Sequence, residues 1–323
     1  MIRYDRRAPE PLMEVLEGGW ASSLAEYGGC GAFALDLQLR RNYDSPDRGW
    51  ASLYVGLTKV LDLHYHPTKG FRLAVHDSHK EAGPWKLHWE AWFNGMTADQ
   101  WREVESFIEV VIPAVGHAFI KEGAVQAAVT SFGRGSMAAI DREVVMSFDS
   151  VEERNATHAA LQAPVLRALQ GQPDGEDWWS AAPEKLGGEL DLLAIDADGC
   201  LMAIEIKPAK GASGTIPWAP AQVRHYANLL REWGDHHSDA AEIVAGMVEQ
   251  RRRLRLIRGA IPDCRSPIEI RPVVAIQRRP SDEVRRRLQV VRRRLEEAEV
   301  NDPALEVFEV NLIGRLDEYL GDA

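Results

Sequence analysis

The sequence predicts an α/β protein in two parts: an N-terminal α+β domain over residues 1–149, and a C-terminal domain over residues 150–323 built on a mixed sheet flanked by helices. Three observations carry that expectation. With 323 residues, 45% hydrophobic and 27% charged, the chain can form two ordinary soluble cores. The first half reads as short alternating strands between turn residues, the pattern of an antiparallel meander. After residue 150, helical and strand patterns follow in the order α-β-β-α-β-α-β, which implies a mixed sheet with helices on its faces.

In the first half a polar, Gly-rich start leads to WASLYVGLTKVLDLHYH, FRLAVHD and WKLHWEAWF, divided by Pro67-Thr68-Lys69-Gly70 and by the loop from Ser78 to Pro84. Thr97-Ala98-Asp99-Gln100 has the form of a capping box. Trp101, Val104, Phe107, Ile108 and Val111 then give the following helix an apolar stripe. A second helical stretch, AFIKEGAVQAAVTSF, precedes REVVMSF, read as one more strand of this half.

In the second half a helix is expected from Val151 to about Leu169, and a hairpin from GELDLLAID and CLMAIEIKP. The next helix runs from Pro220 to Trp233, with proline in its first turn and Gly234 as its stop. IEIRPVVAI is a strand, the arginine-rich segment after Pro280 a helix, and ALEVFEVNLI a last strand.

Met1 is followed by no apolar leader, and no segment approaches the roughly 18 apolar residues of a membrane helix, so a cytoplasmic protein without a membrane partner is expected. Three scattered cysteines, Cys30, Cys200 and Cys264, make neither a disulfide framework nor a metal knuckle. The net charge of −11 argues against a protein that coats nucleic acid indiscriminately. The arginines are clustered nonetheless, in RRRLRLIR from Arg251 to Arg258 and in the triplets Arg285 to Arg287 and Arg292 to Arg294, which fall on one helical side.

The hairpin GELDLLAIDADGCLMAIEIK places charge inside apolar strands. Ala197-Asp198-Gly199 suits a three-residue loop with Gly199 in the left-handed conformation, pairing Asp196 with Cys200. Counted back, that register sets Asp191 opposite Glu205, with Lys207 on the same face. Two carboxylates side by side call for a compensating cation, and a divalent metal held by one or two carboxylates answers that need. Lys207 is then placed to help deprotonate a water and to balance charge on an attacked phosphate. A solvated face with a Glu189–Lys207 ion pair accounts for the same charges. The use of only 8 Lys against 30 Arg makes Lys207 less arbitrary as a cation. Gln222 and Tyr226 follow one helical turn apart; Tyr226 also lies on the core stripe of Val223, Ala227 and Leu230, and Gln222 in a first turn where backbone amides favour a phosphate.

Asp191, then Glu205-Ile206-Lys207 fourteen residues on, then Gln222-Val223-Arg224-His225-Tyr226, resembles the PD-(D/E)XK nuclease superfamily, specifically its RecB-like branch with a Q-x-x-x-Y motif, over residues 150 to 313. The resemblance implies a restriction-endonuclease-like sheet and a Mg²⁺- or Mn²⁺-dependent deoxyribonuclease. Asp191, Glu205 and the Ile206 carbonyl would hold the metal, Lys207 would assist the nucleophilic water, and Gln222 and Tyr226 would position substrate. Leu190 stands where the family has proline. An acid of the first helix commonly completes the family's site; Glu152 and Glu153 both qualify, with Glu153 preferred. The iron–sulfur cluster of some members needs four cysteines and is not expected here.

With that resemblance, the DNA backbone is expected along Arg285, Arg286, Arg292 and Arg293, with Arg251 to Arg258 in the same half. In the first half, His64 and His66 share a strand face near His76, His79 and His88, as ordinary histidines or a metal cluster. Trp85, Trp89 and Trp92 serve as core or as base-stacking rings. Recognition of DNA, sensing, a regulatory partner or homodimerisation remain open for residues 1–149. Two classes of function follow: a DNA nuclease of repair or of defence against foreign DNA, and a non-catalytic nuclease-fold module that binds DNA or protein. Endonuclease and exonuclease are not separated, although Gln222 and Tyr226 tilt the analogy towards end processing.

Overall fold

The structure, a computed structural model, describes residues 2–29, 35–80, 89–115, 122–132, 137–209, 215–257, 261–311 and 316–319. Cys30, Trp85, His88 and Arg258 lie outside them. The chain forms two compact units, one of Met1–Tyr4, Gly135–Glu242 and Ile261–Ala323, the other of Asp5–Arg134 and Ile243–Ala260. This differs from a single break near residue 150. Among the described residues no helix is long and apolar enough to cross a membrane.

The unit that starts at Asp5 carries helices α1 (Glu10–Glu17) and α2 (Ser23–Gly29), then a five-stranded antiparallel sheet in the order β1 (Leu35–Arg41), β2 (Gly49–Val55), β3 (Thr58–His66), β4 (Gly70–Ala74) and β5 (Trp92–Phe93). WASLYVGLTKVLDLHYH is thus two strands folded at Gly56, whose φ of +57° glycine supplies without strain. Helices α3 (Ala98–Ala114) and α4 (Glu122–Phe132) follow. Thr97 and Gln100 close the expected capping box on α3, and Trp101, Val104, Phe107, Ile108 and Val111 are buried. They pack in one core with Leu37, Leu53, Leu63 and Leu73 of the sheet and with Leu12, Met13 and Leu16 of α1. Trp89 is buried in that core as its bulk suggests, whereas Trp92 is exposed.

The other unit holds a six-stranded mixed sheet in the order β11-β10-β9-β8-β7-β6, formed by β6 (Met137–Val144), β7 (Leu190–Asp196), β8 (Leu201–Lys207), β9 (Ile270–Gln277), β10 (Glu306–Val310) and β11 (Leu316–Tyr319). β8, β9 and β10 are parallel neighbours; β6, β7 and β11 run antiparallel to theirs. The strand in REVVMSF is therefore an edge of this sheet and not part of the first meander. The N-terminal residues join it too: Arg3 bridges Ser147, and the Tyr4 hydroxyl donates to Asp141 at 2.9 Å.

Helices α5 (Val151–Ala168), α6 (Ala219–His236) and α8 (Asp282–Glu297) pack together around Val165, Trp179, Trp218, Ala221, Val291 and Leu295. Gly234 is not a stop, since α6 continues to His236; a Cβ there would stand 2.3 Å from Ile268, so the glycine makes room for packing. Helix α7 (Ala240–Arg253), whose apolar stripe is Ala240, Ile243, Val244, Met247 and Val248, ends in the other unit.

Candidate metal and nucleic-acid site

The hairpin folds in the register its turn predicts. Asp196 N–H donates to the Cys200 carbonyl at 3.0 Å, Gly199 has a φ of +80°, and the Asp196 carboxylate accepts from the Asp198 and Cys200 amides at 2.8 and 2.9 Å. A Cβ on Gly199 would also meet the Asp263 carbonyl oxygen at 2.5 Å. The pairs run Ile195↔Leu201, Ala194↔Met202, Leu193↔Ala203 and Leu192↔Ile204. The next step brings Asp191 to Glu205, on one face of the sheet.

At that point the side chain of Asp191 reaches the backbone of β8. The Ile206 N–H donates to Asp191 Oδ2 at 2.6 Å, where the alternation of an antiparallel ladder would assign it to the Leu190 carbonyl. N–H and C=O of one strand residue leave the same edge, so the Ile206 carbonyl faces this end of β7 as well. Lys207 Nζ donates to Glu205 Oε1 at 2.6 Å. Glu205 is 4% exposed and Lys207 7%, on a strand all seven of whose residues are buried. Burying both charges costs more than an apolar pair in the same place, which makes this end of β8 the candidate site.

Helix α6 lies on β8 and β9 and brings Tyr226 within electrostatic reach of the acids. Burial, then the charges of Glu205, Glu189 and Asp191, push its phenol well above the ordinary range, so it stays protonated and able to donate. Among the described residues the buried Tyr226 hydroxyl and Gln222 Oε1 have no hydrogen-bond partner. Left unpaired, each such atom would cost about 1–3 kcal/mol.

The donors present fit a hard cation. Carboxylates of Asp191 and Glu205 with a backbone carbonyl suit Mg²⁺ or Mn²⁺, which take one or two carboxylates and complete their shell with water and phosphate oxygens. Among the described residues no group of three or more His, Cys, Asp or Glu is arranged to hold a metal ion, so neither Glu152 nor Glu153 joins the two acids in such a group. Glu153 is half-buried in the first turn of α5, its N–H donating to the cap Ser150 at 3.1 Å.

Several residues were not foreseen. Glu143 of β6, between the residues paired as Arg142↔Leu192 and Val144↔Leu190, has a φ of +50°, a strained conformation for a side chain of this kind. Arg224, inside the Q-x-x-x-Y stretch, is 1% exposed and donates to the Asp302 carbonyl and Asn301 Oδ1 at 2.9 and 2.8 Å and to the Pro303 carbonyl; it anchors the connection before β10. His225 is fully buried, 2.9 Å from His158 of α5, and burial lowers its pKa to about 3. His158 lines a cleft of about 610 Å³ with Arg154, Asn155, Lys185 and Glu189, and Glu189 is two residues before Asp191. Only a fold that joins α5 to the loop before β7 reveals this cleft.

The arginine wall is largely spent on internal pairs. Arg285 pairs with buried Glu309, and Arg286 with Glu176 and Glu283. Arg287 bonds Glu283 at 2.6 Å and lies over the Trp178 ring. Arg292 is 6% exposed and bonds Glu296 at 2.9 Å; Arg293 is exposed. The run starting at Arg251 belongs to the other unit, where Arg251 is buried against Asp36 and the Leu37 carbonyl and Arg253 pairs with Glu10 and Glu17.

No protein-family model matches the chain, and neither a curated protein nor a solved structure matches it.

Proposed function

We propose that the chain is a divalent-metal-dependent DNA nuclease with a restriction-endonuclease-like catalytic unit. One observation carries the reading: the buried Glu205–Lys207 pair begins one step beyond the Leu192↔Ile204 pair of the hairpin, the step at which Asp191 stands on the facing strand, and the Tyr226 phenol is within electrostatic reach of both acids. Asp191, Glu205 and the Ile206 carbonyl would hold Mg²⁺ or Mn²⁺. When bound, such an ion lowers the pKa of water and polarises a phosphoryl oxygen.

The protein's own residues supply the rest. Lys207, 2.6 Å from Glu205, sets a positive charge next to the acids, where negative charge grows on an attacked phosphate. Tyr226, held protonated, donates a hydrogen bond towards the same place, and Gln222 orients the phosphate from the helix above. Arg154 and Lys185 offer the cations of the adjoining cleft to a DNA backbone. They take over the role that the sequence suggested for Arg285, Arg286, Arg292 and Arg293.

End-labelled linear and covalently closed circular DNA, incubated with Mg²⁺, Mn²⁺ or EDTA, tests this. Native protein is expected to cleave only with metal, and Lys207→Ala and Asp191→Asn to lose activity about 10²-fold or more. Sparing of the circle marks an end-dependent enzyme. Cleavage by both variants at the native rate overturns the proposal, and metal-independent binding without cleavage establishes a non-catalytic module instead.

A further inference from the structure

The five-stranded sheet has two unlike faces. Leu39, Ala51, Leu63 and Leu73 pair across it on one face and enter the core with the helices. One residue along each strand, the register sets Arg40 opposite Trp50, Trp50 opposite His64, His64 opposite Arg72 and Arg72 opposite Trp92. This is one continuous row over all five strands, on the face away from that core, with neighbouring Cβ atoms about 4.5–5.5 Å apart.

The row changes character along its length. Arg40 is buried at one end, Trp50, His64 and Arg72 are half-buried, and Trp92 is 37% exposed at the other. Its rings and cations pack on one another along the row. Trp50 and His64 stack at 5.8 Å and 29°, Arg72 lies 5.2 Å from the Trp92 ring centre, and His66 meets Trp92 edge-on at 5.6 Å. Lys69, exposed, stands 5.7 Å from the same ring, and Arg48 is close enough to act on the charge of His66. Glu90 pairs with Arg72 at 3.3 Å and holds that guanidinium beside the ring.

Rings and cations alternate along this row, where the opposite face of the same strands carries aliphatic residues. Flat rings and guanidinium planes spaced along a sheet, with flexible cations at the rim, are what unpaired bases and their phosphates need. A duplex, whose bases are already stacked and paired, offers these rings nothing comparable. We propose that the row Trp50–His64–Arg72–Trp92 is a stacking surface for single-stranded nucleic acid, with Lys69 and Arg48 meeting its phosphates. This does not rest on the nuclease reading, because it concerns residues of the other unit alone.

The full chain, in EDTA, is titrated into fluorescein-labelled oligodeoxythymidylate, oligouridylate and a DNA duplex, reading anisotropy and the quenching of tryptophan fluorescence. Single strands are expected to bind and quench. Trp92→Ala is expected to weaken that binding about 5- to 150-fold, the worth of one stacked base, and Trp92→Phe to restore most of it. Arg72→Gln is expected to weaken it as well, while duplex affinity stays put in every variant. Preference for one of the two single strands tells DNA from RNA. Since Trp92 is exposed, unchanged circular dichroism in its variants is expected and separates binding from folding. Equal single-strand affinity of native protein and the Trp92 and Arg72 variants overturns the proposal, as does failure of the native protein to bind either strand.

Discussion

One pair in the six-stranded sheet and one row in the five-stranded sheet place polar residues inside strands in opposite ways. In β8 the charges are nearly sealed: Glu205 and Lys207 are 4% and 7% exposed under α6. In β2 to β5 the row that ends at Trp92 is partly open, and its cations reach solvent. A sealed ion pair is held against a desolvation cost, so its loss should be felt in stability and in chemistry together. A half-open row carries little of that cost, and its loss should be felt by a ligand.

That contrast can be broken by measurement. Lys207→Met leaves Glu205 buried without its ammonium and is expected to cost about 3–5 kcal/mol in denaturant unfolding, while Glu205→Leu with Lys207→Met recovers most of the loss or exceeds native stability. A small cost for the single variant would mean the pair is solvated after all. Gly199→Ala forces a side chain into a left-handed turn and against the Asp263 carbonyl; a loss of about 1–3 kcal/mol is expected, with reduced metal-dependent activity because this turn sets the register of Asp191 and Glu205.

Buried His225, against half-buried His158, makes the same unit sensitive to acid. The folded pKa of His225, about 3, lies below the ordinary 6.5, so the unfolded chain takes up its proton first as pH falls. Nothing is lost above about pH 6.5; between there and pH 3 stability should fall with a slope approaching about 1.4 kcal/mol per pH unit from this group. His225→Gln is expected to flatten melting temperature against pH in that window, and an unchanged slope would locate the acid sensitivity elsewhere. The smallest effect on stability is expected at the open row, where Trp92→Ala should cost about 1 kcal/mol through its contacts with His66 and Arg72.

Local chemistry explains which features were legible. The capping box at Thr97 and the turn at Gly199 act over four or five residues, and both form as read; the register of Asp191 and Glu205 follows from the second by counting. Features that depend on distant partners were misread or missed. Gly234 looks like a helix stop and is a packing gap for Ile268. The strand before Val145 looks like part of the first meander and pairs with β7. The arginine triplets look like an open wall, yet Glu176 and Glu309 reach them from far along the chain.

The sequence by itself determined the two sheets, the helices that carry the longest apolar stripes, and the alternation that puts Asp191, Glu205 and Lys207 on one face, because these follow from side-chain periodicity and from turns a few residues long. Only the tertiary structure decided that Lys207 is buried against Glu205, that Tyr226 reaches the acids, that the cleft runs past Arg154 and Lys185, and that Trp50, His64, Arg72 and Trp92 form one row. Burial and cross-strand neighbours are set by which segments meet, and residues that lie far apart in the chain carry no local mark of their partners.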